Sequence, residues 1–123
     1  MDDIPLPDEA FQKIVEEALS SLPQEFQQEL KNIAIIIAPE PDAEQLRIGR
    51  VRRHQELFGL YQGVPLPKRS GALIQMPDRI FIFQNPIMRM RHDSESIREQ
   101  IRSTVFHEIG HYFGMSEQQL RKI

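Results

Sequence analysis

At 123 residues, with 40% hydrophobic and 27% charged side chains, the chain has the size and composition of one globular domain spanning residues 1–123 rather than of a disordered tail. It contains no cysteine, which excludes disulfide frameworks, thiolate metal sites and cysteine nucleophiles and leaves His, Asp and Glu to hold any metal. The formal charge of -3 divides unevenly, because acids dominate up to Glu44 while the middle carries Arg47, Arg50, Arg52, Arg53, Lys68 and Arg69.

That basic stretch reads as a solvated face complementing the acidic N-terminal helices, and without an aromatic stacking pattern or a glycine-rich phosphate loop nucleic acid is not an expected partner. The opening "MDDIPLPDEA" lacks the basic start and apolar run of a signal peptide. No segment approaches the roughly 20 apolar residues that span a bilayer, so a cytoplasmic location without membrane partners is expected. A domain this small has little material for a deep pocket, and its site should be a shallow groove.

In chain order, "DEAFQKIVEEALSSL" spaces Phe11, Ile14, Val15, Ala18, Leu19 and Leu22 for an amphipathic helix, with Asp8 as candidate N-cap. Pro23 ends it and can open a second short helix, "PQEFQQEL", with Phe26 and Leu30 on one face. The β-branched run Ile33 to Ala38, closed by "PEPD", predicts a buried strand in the middle of a sheet. Asp42 to Glu56 reads as a loop or a short helix. "LFGLYQG" is a strand, "GVPLPKRSG" an irregular turn, and "RIFIFQNP" a strand ended by Asn85 and Pro86. From Asp93 a long helix runs to Gly114, the expected left-handed terminator, and "MSEQQLRKI" can close the chain as a short helix.

The end of the long helix reads "HEIGHYFGMSE", His107 to Glu117. Residues four apart project from one side of a helix, so His107 and His111 can aim both imidazoles at one metal ion. Ile97, Ile101, Val105, Ile109 and Tyr112 fall on the opposite, apolar side, whereas Gln100, Ser103 and the two histidines share the side that would floor an open cleft. Glu108, about a quarter turn from His107, is placed as a general base: zinc lowers the pKa of a bound water to about 7, and a carboxylate beside it can take the proton. Catalytic zinc takes a third protein ligand. Gly114 lets the chain turn back, which makes Glu117 the candidate, the alternative being that Glu117 caps the last short helix. His54 and His92, in polar arginine-rich contexts, read as surface residues. Manganese and iron also suit two histidines and a carboxylate, and the glutamate inside the helix favours zinc.

With these residues in place, the chain resembles the minimal zincins, short bacterial metallopeptidase domains carrying H-E-x-x-H-x-x-G-x-x-D/E near their C-terminus. "LFGLYQGVPLPKRS" preceding "RIFIFQNPI" is similar to the same family. The resemblance implies zinc ligands His107, His111 and Glu117 with Glu108 as base. It implies an α+β fold in which a small twisted mixed sheet packs on the N-terminal helices and on the long active-site helix. An extended peptide or protein substrate would pair with an edge strand, expected at Arg79 to Gln84. Unlike metzincins, the chain has Glu117 where their third histidine would stand. The expected function is zinc-dependent peptide hydrolysis, with a non-catalytic, zinc-stabilised peptide-binding module as the alternative.

Overall fold

The computed structural model describes residues 8–51, 55–63, 78–115 and 118. Its first helix, α1 (Asp8–Ser20), buries Phe11, Ile14, Val15 and Ala18, the stripe that 3.6-residue periodicity predicts. Asp8, expected as the N-cap, is the first helical residue, and its carboxylate accepts a hydrogen bond from Gln84 Nε2 at 3.0 Å. After Leu22 the chain turns at Pro23 into the single turn α2 (Gln24–Gln27), and a 3-10 turn (Leu30–Asn32) leads into strand β1 (Ile33–Ala38).

The polar stretch that follows settles as a short helix, α3 (Ala43–Ile48), because Asp42 and Gln45 form a reciprocal capping box. Strand β2 (Gly59–Gln62) follows, then β3 (Asp78–Phe83), and α4 (Gln84–Met90) begins directly at the end of β3. The sequence reading ended the strand at Asn85 and Pro86 and missed α4. Pro86 is the third residue of that helix, where its missing N–H has no intrahelical partner to lose. The long helix α5 (Ser94–Tyr112) runs as expected from its cap at Asp93, whose carboxylate accepts the Ser96 N–H at 2.8 Å.

The sheet order is β1-β3-β2, with β1 parallel and β2 antiparallel to β3. This reverses two expectations. Ile33–Ala38, expected in the middle, is an outer strand of the described sheet, and Arg79 to Gln84, expected at the edge, forms the central strand except for Gln84, which starts α4. The cause is burial: Ile80 and Ile82 join the core with α1 and α5, while Phe81 and Phe83 join Leu60 in a second cluster with Ile36 and Leu57 against it. A strand covered on both faces shows an unbroken apolar run, whereas most of β1 is only half-buried.

The result is an α+β fold in which a sheet, three-stranded among the described residues, packs against helices. Each large core side chain contributes roughly 1.5–3 kcal/mol on burial, so the combined stripe of α1, β3 and α5 holds the long helix in place. Among the described residues no helix is long and apolar enough to cross a membrane.

Candidate active site

α5 is fixed along one side and at both ends. Ile97, Ile101, Val105, Ile109 and Tyr112 are buried, as their spacing predicts. The C-terminal turn closes with two hydrogen bonds of 2.9 Å, Gly114 N–H to His111 O and Met115 N–H to Gly110 O, while Gly114 takes a φ of 81°. This is a complete Schellman motif, and it requires the left-handed conformation that glycine adopts without a Cβ penalty. Phe113 packs on Phe26 with ring centroids 4.6 Å apart, and the Tyr112 hydroxyl donates to Glu29 Oε2 at 2.9 Å. The turn that carries both histidines is therefore anchored from below.

His107 and His111 are half-buried on the side away from the core, their ring centroids 4.8 Å apart and their planes at 84°. Glu108 is rotated toward β2, with only 7% of its surface exposed. Its Oε1 accepts the backbone N–H of Tyr61 at 2.8 Å. One ligand-type atom from each of His107, Glu108 and His111 lies within 4.8 Å of the others, the one such cluster among the described residues. Two donors about 2.1 Å from a tetrahedral zinc stand about 3.4 Å apart, so a shift of under about 1 Å in each side chain brings the imidazoles onto one ion. Two imidazoles and a carboxylate, with no thiolate, suit a borderline divalent cation.

Gly59 makes the contact between strand and helix. A Cβ there would lie 2.5 Å from Thr104 Cγ2, 3.0 Å from the Phe81 carbonyl oxygen and 3.3 Å from Glu108 Cγ. Only a residue without a side chain lets β2 approach α5 closely enough for Tyr61 N–H to reach Glu108. Tyr61 is steadied in turn: its hydroxyl donates to Asp78 Oδ2 at 3.0 Å, and its ring meets Tyr112 edge-on at 6.0 Å. Asp78 is 3% exposed.

A shallow groove of about 240 Å³ runs from this centre along α5, lined by Leu57, Phe58 and Gly59 on one wall and Gln100, Ser103, Thr104, His107 and Glu108 on the other. The floor read from the sequence thus holds for Gln100, Ser103 and His107. The structure brings His107, Glu108 and His111 together. His92 is exposed and outside the cluster. Glu117 and His54, like "GVPLPKRSG" beyond Gly63 and nearly all of the closing segment, lie outside the described residues. Sequence reasoning missed the parts played by Gly59, Tyr61 and Thr104. A glycine inside a strand pattern is a signal of close backbone approach and pointed to the first of them.

No curated protein matches the chain. Among solved structures, it is similar to a conserved hypothetical protein from Thermus thermophilus, at 14% identity and a TM-score of 0.60 over 88% of this chain and 94% of that one, a likeness of fold. A family model described as zincin-like metallopeptidase matches residues 30–123, the stretch that holds the three described strands, α5 and the histidine pair, and the chain belongs to that family.

Proposed function

We propose that this protein hydrolyses peptide bonds with zinc held by His107, His111 and Glu117 and with Glu108 as general base. The observation that carries the reading is a buried carboxylate clustered within 4.8 Å of two imidazoles and oriented by a strand N–H. When bound, zinc supplies Lewis acidity toward a substrate carbonyl and a water.

The chain's own groups do the rest. Glu108 takes a proton from the attacking water and returns it to the departing amine, and Tyr61 N–H limits the directions in which its carboxylate can turn. The Schellman turn at Gly114 reverses the chain three residues after His111 and before Glu117, which supports Glu117 as third ligand. Strand β2 takes over the substrate-pairing role first expected of Arg79 to Gln84. The Phe58 carbonyl faces β3, accepting Phe83 N–H at 2.8 Å, and by antiparallel alternation the Gly59 and Tyr61 main-chain groups face outward beside α5. An extended peptide pairs along that edge through the Gly59 main-chain groups, the Tyr61 N–H being held by Glu108.

The Tyr61–Glu108 hydrogen bond also favours a second reading, in which Glu108 only fastens helix to sheet and the protein is a zinc-stabilised peptide-binding module. One experiment separates the two. Zinc per chain and cleavage of unfolded casein are measured for the wild type and for Glu108→Gln, with His107→Ala and Glu117→Ala as metal controls. Near one zinc in the wild type, lost in His107→Ala and weakened in Glu117→Ala, establishes the ligand set. Retained zinc with cleavage reduced about 10²- to 10⁴-fold in Glu108→Gln identifies the base. Cleavage undiminished in Glu108→Gln refutes that role.

A further inference from the structure

Beyond the histidines, the groove has one wall built from an ordered polar chain. Arg91 Nη2 donates to Gln100 Oε1 at 2.9 Å, and Gln100 Nε2 donates to Thr104 Oγ1 at 3.1 Å. A guanidinium has donors only, so Arg91 fixes which way the Gln100 amide points: its oxygen turns to Arg91 and its NH₂ to the groove side. Thr104, 5% exposed, turns its Cγ2 toward the space a Cβ at Gly59 would fill and its hydroxyl toward Gln100. Among the described residues, the second N–H of Gln100 and the Thr104 hydroxyl proton are donors that this chain of bonds leaves over, and Ser103 adds an exposed hydroxyl.

Across from them stand the half-buried Leu57 and Phe58, and the inner end of the groove is the Glu108 carboxylate. An anionic side chain entering here meets Glu108 as a like charge. A cationic one finds a charged acceptor only at the inner end, in Glu108, whose Oε1 already accepts the Tyr61 N–H, and along the Gln100–Thr104 wall it meets donors where it needs acceptors. A purely apolar one covers Leu57 and Phe58 but leaves the donors of the opposite wall without partners. The side chain that satisfies both walls has an apolar stem and a neutral acceptor at its end.

We infer that the groove between Leu57–Gly59 and Gln100–Thr104 is a specificity subsite that accepts a carboxamide side chain, glutamine before asparagine, next to the bond to be cleaved. The inference rests on the peptide-hydrolase reading of the neighbouring centre. Glutamine is favoured over asparagine because its longer stem spans the apolar wall before its amide reaches Gln100 and Thr104. Its carbonyl accepts from those two donors, and its own NH₂ has the Ser103 hydroxyl as acceptor.

The test uses zinc-loaded Glu108→Gln protein, so that binding is read without turnover. Its probes are acetylated, amidated hexapeptides on an alanine background, each with one position set to Gln, Leu or Lys. The expected result is one position at which Gln binds about tenfold more tightly than Leu or Lys, and that ratio falls to near one when Gln100→Leu and Thr104→Val are added. The single Gln100→Leu variant, which leaves buried Thr104 in place, should lose most of the preference on its own. Leu binding as well as Gln at every position, or a Gln preference that survives both substitutions, overturns the inference and leaves the hydrolase reading intact. A Gln preference in a protein whose unsubstituted form cleaves neither these peptides nor casein supports the subsite as a binding site and overturns the hydrolase reading instead. No binding by any peptide overturns the subsite, and cleavage of casein by the unsubstituted protein then decides the hydrolase reading separately.

Discussion

Tyr61 serves the site through two different groups. Its backbone N–H orients Glu108, while its side chain, held by Asp78 and Tyr112, keeps that stretch of β2 in register with the helix. The backbone bond depends on the ladder and not on the phenol, so the two can be separated. In Tyr61→Phe the ring contact persists and the hydrogen bond to buried Asp78 is lost. We expect a stability loss of about 1 kcal/mol in urea unfolding, with zinc content and Glu108-dependent cleavage unchanged. A loss of cleavage with stability unchanged would show instead that the phenol takes part in the reaction.

Among the elements, the distance between β2 and α5 decides whether the site exists. Gly59 sets it, since a methyl group would meet Thr104, the Phe81 carbonyl and the Glu108 stem together, and all three belong to the packed helix or sheet. Gly59→Ala should destabilise the fold by about 1–3 kcal/mol, the usual cost of overpacking a tight contact. It should also reduce cleavage while leaving zinc bound, because the histidines lie on α5 alone and Glu108 loses its tie to the strand. Calorimetry, a casein-cleavage assay and metal analysis on one sample check the three parts of that expectation. α4 and β3 illustrate how elements are chosen by context. The run Asp78 to Met90 passes from strand to helix without a loop, and its proline stands where a helix tolerates one.

In the whole molecule, Arg89 on α4 joins parts far apart in sequence, pairing bidentately with Glu40 after β1 and with Glu56 before β2. Glu56 leads straight into Leu57–Gly59, so this clamp also holds one wall of the groove. The Arg89 guanidinium, by hydrogen bonding first, holds both carboxyls below their ordinary value of 4.5. Groups with depressed folded values stabilise fully above the unfolded value and lose that contribution as pH falls through the folded one. Because Arg89 is half-exposed, solvent screening limits the pairs to about 1 kcal/mol in total. Arg89→Ala should therefore melt below the wild type at pH 7, and the gap should narrow as pH drops below 4.5. A gap of constant size down to about pH 2 would contradict the clamp.

The sequence by itself determined the features that follow from neighbours along the chain. The buried stripes of α1 and α5, the cap at Asp93, the left-handed end at Gly114 and the common side of His107 and His111 all depend on residues within about four positions of one another, where helix geometry leaves few alternatives. Tertiary structure decided which strand lies in the centre, because Ile33–Ala38 and Arg79 to Phe83 are both short apolar runs, and only packing on both faces distinguishes them. It also decided the surroundings of Glu108. Tyr61 lies 47 residues away, and nothing local announces that its N–H meets that carboxylate. The helix was legible because its hydrogen bonds are internal, whereas the groove and the strand beside it exist only where distant segments are pressed together at Gly59.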